Sequence, residues 1–339
     1  MGNTFRIEGF FRSTGASMVA TQPIYDKEPT PEFNERCLAI LQQWQAGTLP
    51  FQEASHQLHE MAEATGEHLA NLGRVEILLG VMQGYRGNLN VCIQHFEKAR
   101  DLFAEVGNDL RVVKCDLNLG ETYRQKGDFG KARELFQGVY ETATQLGDIQ
   151  LQAMALGNAG QMLLSMKQVD DAEATLKNAI ALAAQWPSEF AKSQAGFLCE
   201  VHHALAVVYL SAKRMEQALE QAQNSLHYAR ISQQPLSIGF ANRTMGEVMA
   251  GFDVIPAELL NEGFSADPGD YFRAALEAFS EIDAQGERAR TMHAHAKSLA
   301  KQGRRMAAAR MLQQAMLTFA ELGMVDDSAK AAESQAAIF

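Results

Sequence analysis

Residues 117–136 read LNLGETYRQKGDFGKARELF, and this stretch decides the fold. Gly120 lies inside one amphipathic segment, which Gly127 ends. A second amphipathic segment carries the small Ala132 and, one helical turn later, the large Phe136. Glycine in a helix interior costs about 1 kcal/mol relative to alanine, so Gly120 indicates close contact with another helix. The stretch therefore predicts a hairpin of two packed helices.

The same pattern recurs along most of the chain. A small residue takes the equivalent mid-helix position at Gly80, Gly120, Gly160, Ala206, Gly246 and Ala296. Successive members of this series are 40, 40, 46, 40 and 50 residues apart. Repeated hairpins that bury their apolar faces only against their neighbours stack into a solenoid. We therefore predict an all-α array of about seven antiparallel hairpins.

The hairpin of residues 117–136 resembles the tetratricopeptide repeat family, whose usual period is about 34 residues. The longer 40-residue spacing is similar to that of a branch found in scaffold proteins that orient the cell-division machinery. It is also similar to the sensor region of the bacterial maltose-regulon activator. The resemblance covers residues 67–323 and implies a right-handed superhelical array, with the first helix of each hairpin on the concave face.

The repeat also predicts the boundaries of three regions. We expect residues 1–31 to form a non-helical N-terminal arm, because they contain three prolines and no helical period. Residues 32–323 form the array, and residues 324–339 form a helix that caps its last apolar face. Insertions near residues 186–191 and within residues 251–270 interrupt the period. The second insertion is acidic and contains a short helix; it is either a solvated loop or a gate over the groove.

The charge balance and the cysteines exclude several classes of protein. The chain has 30 Lys and Arg against 41 Asp and Glu, which argues against wholesale wrapping of nucleic acid or an anionic membrane. Residues 149–166 lack charge but contain four Gln or Asn, so they do not predict a membrane span. Cys37, Cys92, Cys115 and Cys199 form no CxxC pair, which is typical of reduced thiols. We expect a cytoplasmic protein.

The sequence carries no recognisable pattern for catalysis or for cofactor binding. It lacks both a GxSxG nucleophile elbow and a GxxxxGK[ST] phosphate loop. His56 and His59 are predicted to be solvated, and His202 and His203 to point in different directions, so neither pair predicts a metal site. We therefore expect a non-enzymatic protein without a metal or a cofactor.

Recognition on the concave face is the activity that the repeat favours. In the second and third of the six repeats, the residues expected on this face are Lys114, Asn118, Glu121, Arg124, Asn158 and Gln161. Asn118 and Asn158 match the position at which the family places asparagines that bind a peptide backbone. An exposed asparagine amide suits that role because it offers both a donor and an acceptor. The alternative is that these residues only provide a polar helix face.

A basic stripe is predicted on the last inner helix. Residues 286–310 contain seven Lys or Arg and one acidic residue. Four of the residues here share one helical face, namely Arg290, His293, Lys297 and Lys301. Arg243 takes the equivalent place one hairpin earlier. We expect this stripe to dock an acidic segment or a C-terminal carboxylate of a partner, with binding that weakens as salt rises. The alternative is an ordinary solvated helix face.

These observations favour a scaffold or adaptor that holds an extended or helical segment of a partner protein in its concave groove. The second hypothesis is a regulatory sensor that binds a small ligand or signal peptide and relays the signal to another protein. Nucleic-acid binding is disfavoured, because aromatic residues do not interleave with the basic ones. Self-association of the array is compatible with both hypotheses.

Overall fold

In the computed structural model, the described part of the chain, residues 27–338, is helical and contains no β-strand. The helices are α1 (Pro31–Gln45), α2 (Phe51–Ala64), α3 (Leu69–Arg86), α4 (Leu89–Glu105), α5 (Asp109–Lys126), α6 (Phe129–Leu146), α7 (Ile149–Ser165), α8 (Val169–Ala183), α9 (Ala191–Ser211), α10 (Met215–Ser232), α11 (Pro235–Gly251), α12 (Ala257–Asn261), α13 (Pro268–Glu281), α14 (Gln285–Lys301), α15 (Arg305–Glu321) and α16 (Val325–Ile338). This architecture confirms the predicted all-α array. Residues 1–26 of the predicted arm lie outside the described residues.

Consecutive helices pack as seven hairpins, and α16 follows the last of them. The pairs are α1–α2, α3–α4, α5–α6, α7–α8, α9–α10, α11–α13 and α14–α15, with α12 inside the connection of the sixth. The second helix of each hairpin also contacts the first helix of the next element. The hairpins therefore form a solenoid, in which each buries its apolar faces against its neighbours.

The helix ends follow from residues that the sequence places between the helices. The side chains of Asn108, Asp128 and Asp148 cap α5, α6 and α7, because each accepts a hydrogen bond from a backbone N–H in the first turn. Gly127 ends α5 with a φ of 85°, in the left-handed region that a residue without a Cβ adopts readily. Lys167 follows α7 with a φ of 63°, so the turn geometry persists where the glycine is lost.

The recurring small residues mark the closest contacts inside the hairpins. A Cβ added to Gly120 would lie 2.6 Å from Cε1 of Phe136, and one added to Gly80 would lie 2.7 Å from Cε1 of Phe96. Real side chains do not approach so closely, and therefore only glycine allows the aromatic ring of the second helix to pack flat against the first. The predicted contact between small and large residues is confirmed at both hairpins.

The array closes on itself, which brings its first hairpins against its last ones. Helix α3 contacts α14, and Nε of Arg86 lies 3.2 Å from a carboxylate oxygen of Asp283. Leu322, which follows α15, packs against the backbone of Gly87. One hydrophobic cluster joins side chains of α1 to α5 with others from α11 and α13, including Phe279. The described helices therefore surround a common interior.

Both insertions pack against the array. In the first, the ring of Trp186 is buried and stacks on Phe197 of α9, with centroids 5.2 Å apart. The second contains α12, where the sequence predicts a short helix, and Leu259 of α12 is buried. Lys301 of α14 donates hydrogen bonds of 3.1 Å to two carbonyl groups at the end of α11. This contact attaches the start of the second insertion to the next hairpin.

Candidate binding surface on the inner helices

The first helices of six hairpins contact one another around the interior. Helix α5 contacts α7, α7 contacts α9, α9 contacts α11, α11 contacts α14, and α14 returns to α3. These helices bury many polar side chains, and twelve of them are what we call the inner surface: Arg74, Asn118, Glu121, Arg124, Gln125, Asn158, Gln161, Glu200, His203, Arg243, Glu287 and Arg290. Polar groups are buried at a cost unless they are hydrogen-bonded, so this concentration makes the inner surface the candidate site.

Three side chains of α5 form a network on the inner surface. Arg124 donates from Nε and Nη2 to the two carboxylate oxygens of Glu121, at 2.7 and 2.6 Å. Gln125 donates from Nε2 to the same carboxylate at 2.9 Å. The spacing of three and four residues places all three side chains on one face of the helix. The charges of Glu121 and Arg124 therefore compensate each other.

Lys114 lies two turns before this network on the same helix. Burial, together with the positive charge of Arg111, lowers the pKa of its ammonium group to about 8. The carboxylates of Asp148 and Glu28 act in the opposite direction. The group is still mostly protonated at pH 7, so Lys114 presents a positive charge beside the inner surface.

Asn118 and Asn158 lie on α5 and α7, the helices on which the sequence placed them, but their amides are not exposed. They are only 2% and 6% accessible to solvent. The expectation of exposed amides on an open groove floor is therefore wrong for both residues. No hydrogen bond joins the Asn118 side chain to any residue within 27–338, and its amide therefore keeps a donor and an acceptor for a ligand.

A chain of ion pairs connects α11, α14 and α16. Arg243 Nη1 lies 2.5 Å from one carboxylate oxygen of Glu287, and Arg290 Nη1 lies 2.5 Å from the other. Arg290 also pairs with Asp327 at 2.8 Å. Burial alone would raise the pKa of Glu287, but the two guanidinium groups hold that pKa below its ordinary value. Two positive and two negative groups thus balance one another.

The predicted basic stripe on α14 is not continuous in the structure. Arg290 is neutralised by Glu287 and Asp327, and Lys301 bonds to carbonyl groups of α11. His293 Nε2 forms a 2.8 Å hydrogen bond with Ser334 of α16. These side chains have partners because α16 and the end of α11 pack against α14, which the charge pattern could not reveal. Of the four residues in the stripe, only Lys297 is exposed without a described partner.

His203 of α9 faces the interior between two other inner helices. Its Nδ1 is hydrogen-bonded to Thr244 Oγ of α11, and its ring stacks on Phe240 with centroids 5.4 Å apart. Burial lowers the pKa of His203 well below its ordinary value, and the charges of Arg243 and Arg124 lower it further. Arg124 belongs to α5 and Arg243 to α11, so charges on both helices act on the His203 ring.

We single out one buried polar atom on each of four successive inner helices, none of which has a hydrogen-bond partner among the described residues. They are Oε1 of Gln125 on α5, Oε1 of Gln161 on α7, Nε2 of His203 on α9 and Nη2 of Arg243 on α11. A buried group without a partner costs about 1–3 kcal/mol. A polar ligand extended across these helices would supply the missing hydrogen bonds.

Several inner-surface residues are not singled out by the sequence patterns, notably Arg74, Glu200, His203 and Glu287. A signal existed for the first two, because each precedes the small residue of its repeat by six positions, as Lys114 does. His203 and Glu287 carry no such signal. Their roles depend on contacts with α11, which lies about one repeat away in the chain.

His56 and His59 are exposed on α2, and within residues 27–338 no three His, Cys, Asp or Glu side chains are grouped as metal ligands. The four cysteines are buried, and none of them forms a disulfide. Burial raises the pKa of the Cys92 and Cys115 thiols, which disfavours the reactive thiolate.

Within the described part of the chain, no helix combines the length and the apolar character that a bilayer requires.

The tetratricopeptide repeat family matches residues 71–145 and 113–185 of the chain. The matched segments extend from α3 to α8. They contain the hairpin α5–α6, to which residues 117–136 belong. Residues 71–185 therefore carry tetratricopeptide repeats. No curated protein sequence matches the chain.

Solved structures share this fold at low sequence identity. The apo form of RapI is 14% identical, with a TM-score of 0.56 over 86% of this chain and 99% of that chain. A Rap protein complexed with competence and sporulation factor is 11% identical, with a TM-score of 0.60 over 95% and 88%. Aspartyl phosphate phosphatase F from Bacillus subtilis, 14% identical over 94% and 80%, reaches only 0.46. The first two similarities establish a common fold and nothing more.

Proposed function

We propose that this protein is an adaptor that binds an extended segment of a partner protein along its inner surface. The observation that carries the proposal is an unpartnered buried polar atom on each of α5, α7, α9 and α11. A peptide backbone presents donors and acceptors at every residue, so it can satisfy several such atoms at once. The amide of Asn118 on α5 would add a further donor and acceptor.

The proposed contacts lie on the inner surface and at two lysines outside it, Lys114 and Lys297. The partner's segment contacts Lys114, Asn118, Glu121, Arg124, Asn158, Gln161 and Arg243. An acidic group of the partner pairs with Lys297, which is exposed and has no described partner, while Arg290, His293 and Lys301 hold α14 in place. A charge pair at Lys297 is exposed and contributes about 0.2–1 kcal/mol, and its contribution decreases as salt rises.

The adaptor acts by binding alone, in the cytoplasm. Binding without chemistry is supported by the burial of Cys92 and Cys115, which raises the pKa of both thiols and so disfavours the reactive thiolate. A reducing compartment is supported by all four cysteines, none of which is paired with another.

A second candidate function, a ligand-responsive sensor, is favoured by the closure of the array. The Arg86–Asp283 pair and the contact of Leu322 with Gly87 join hairpins that are distant in sequence. A ligand that altered the superhelical pitch would change these contacts and present a different outer surface. A Rap protein with this fold was solved in complex with competence and sporulation factor, which supports ligand binding by such arrays.

Selection of a displayed peptide library against the full chain tests the proposal. A selected peptide is then titrated against wild type and against Gln161→Ala, which removes one unpartnered oxygen from the inner surface. We expect binding to weaken about 2–10-fold, because one hydrogen bond to the peptide is lost.

Gln137→Ala is the matched control for this titration. Gln137 is exposed on the second helix of its hairpin and bonds only to Glu141, at 2.8 Å. The control should bind as wild type does. Equal weakening by both substitutions, or failure to select any peptide, contradicts the proposed function.

A further inference from the structure

We infer that His203 and Arg243 together hold the backbone N–H and C=O of one residue of the bound segment. This inference rests on the proposed function, because it assigns a specific contact within the same surface. It goes further by stating which atom of the protein accepts a hydrogen bond and which atom donates one. We call these two residues the amide clamp.

The proton on the His203 ring is located by its neighbours. The hydroxyl of Thr244 donates its only proton to the carbonyl oxygen of Phe240, at 2.7 Å. Thr244 Oγ can therefore only accept from His203, which places the ring proton on Nδ1. The ring is neutral, since burial and nearby Arg243 lower the pKa of His203. Nε2 thus carries a lone pair and requires a donor.

Arg243 supplies the complementary group. Its Nη1 donates to the Glu287 carboxylate at 2.5 Å, while its Nη2 has no described partner. A guanidinium group can only donate, so Nη2 requires an acceptor. The rings of Phe240 and Phe279 lie 5.3 and 5.5 Å from its Cζ, which fixes the head group in place. The donor is therefore oriented before a ligand arrives.

The two groups belong to one site. Thr244, which binds the His203 ring, follows Arg243 in α11, and Phe240 contacts both the ring and the guanidinium. The charge of Arg243 also acts on the pKa of His203. Each of the two side chains is only 1% exposed. A ligand group that enters here therefore meets a donor and an acceptor in a buried setting.

The chemistry of the site favours an amide over an anion. The charges of Arg243 and Arg290 are already balanced by Glu287 and Asp327. A carboxylate could accept from Arg243, but it has no proton to give to His203 Nε2. In an extended segment, the N–H and C=O of one residue point to the same side, and they therefore match the two requirements.

The first experiment locates the proton on His203. Long-range 1H–15N correlation spectra of the full chain at pH 7.5, compared with the spectra of His203→Gln, identify the signals of this ring. We expect the neutral tautomer with the proton on Nδ1. A proton on Nε2, or a protonated ring, overturns the inference because the acceptor would not exist.

The second experiment titrates the full chain with two blocked peptides, N-acetyl-tetraalanine amide and its counterpart in which every alanine nitrogen is methylated. The methylated peptide keeps the carbonyl groups and loses the alanine N–H donors. We expect only the first peptide to bind saturably and to shift the His203 Nε2 signal. His203→Phe keeps a ring that can stack on Phe240, removes the acceptor and should weaken binding about tenfold.

His203→Gln and His202→Phe are the controls for that titration. Gln can donate to Thr244 through Nε2 and accept from the peptide through Oε1, so it should restore most of the affinity. His202 stacks on Tyr228 and bonds to Gln221, away from the clamp, and its replacement should leave binding unchanged.

The outcomes separate the clamp from the proposed function. If tetraalanine amide binds His203→Phe as tightly as wild type, the clamp is wrong while peptide binding by the inner surface stands. No saturable binding of either blocked peptide to wild type also overturns the clamp. Failure of display selection to yield any peptide removes the proposed function itself.

Discussion

At Gly120 the packing of a hairpin depends on the absence of one methyl group. A Cβ there would lie 2.6 Å from Cε1 of Phe136. We predict that Gly120→Ala lowers the free energy of unfolding by about 1–3 kcal/mol, because overpacking forces α5 away from α6. The bulkier Gly120→Leu should lower it further. Urea denaturation measures both changes.

Gly138 provides the matched control for this prediction. It lies inside α6, and a Cβ added there meets nothing within 4 Å. Gly138→Ala should raise the free energy of unfolding by about 0.5–1 kcal/mol, because alanine favours the helix. If the two alanine substitutions have the same effect, the close contact does not explain the glycine.

His293 should make the stability of the protein depend on pH. Burial and the nearby Lys297 lower the pKa of His293 to about 4, while Asp327 opposes them. Below pH 6.5 the unfolded chain therefore binds a proton that the folded chain does not, and stability is lost as pH falls from 6.5 towards 4. We predict that His293→Gln removes about 1–2 kcal/mol of the loss between pH 6.5 and pH 5.

Denaturation curves at several pH values measure this effect. The control is His59→Gln, because His59 is exposed on α2. That variant should keep the pH dependence of wild type. An identical pH dependence in His293→Gln and wild type would show that His293 does not titrate below its ordinary range.

Helix α16 is held to the array by a partly buried ion pair. Asp327 pairs with Arg290 at 2.8 Å, and Arg290 is only 9% exposed. We predict that Asp327→Asn lowers the free energy of unfolding by about 1–3 kcal/mol, since it leaves a buried guanidinium with one carboxylate fewer. Hydrogen exchange of α16 should accelerate in the same variant.

The neighbouring residue is the control for α16. Asp326 pairs with Lys330 at 2.5 Å one helical turn away, and both side chains are well exposed. Asp326→Asn should change stability by at most about 0.5 kcal/mol. Faster exchange of α16 in Asp326→Asn, with no change in Asp327→Asn, would contradict the role assigned to the ion pair.

Helices and hairpins could be predicted from the sequence because their determinants are local. The small residue at Gly120, the caps at Asn108 and Asp128, and the large Phe136 all lie within one repeat. The partners of Arg290 could not be predicted in the same way. Its charge pattern on α14 suggests an open basic face, but Asp327 belongs to a different helix. The residue pattern of a helix predicts which of its side chains point inward. It does not predict which side chains of other helices they contact.

The closure of the array is a property of the whole molecule that the repeat pattern does not contain. It depends on the summed rotation of successive hairpins, to which the insertions of residues 186–191 and 251–270 also contribute. The sequence therefore placed Asn118 and Asn158 on the correct helices, α5 and α7, and gave them the wrong exposure.

Two glycines in equivalent turns allow the closure to be tested. Gly87 and Gly127 have φ values of 87° and 85°, so alanine strains both turns alike. A Cβ at Gly87 would also lie 2.9 Å from Cδ1 of Leu322, whereas at Gly127 it meets nothing within 4 Å. We predict that Gly87→Ala lowers the free energy of unfolding by about 0.5–1 kcal/mol more than Gly127→Ala does.

The added variant Leu322→Ala shows whether that difference comes from the closure. In the Gly87→Ala background it should remove the extra destabilisation, which a double-mutant cycle detects as coupling. In the Gly127→Ala background it should show no coupling. Coupling in neither background would mean that the second and last hairpins do not meet in solution.

Mapping the position of a bound peptide tests the central claim, that the inner helices form the binding surface. A peptide selected on the full chain is synthesised with a benzophenone side chain, photo-crosslinked, and its attachment sites are identified by mass spectrometry. The account predicts attachment to α5, α7, α9 and α11, near the four unpartnered polar atoms. Attachment confined to the second helices of the hairpins, α4, α6, α8 and α10, would contradict it.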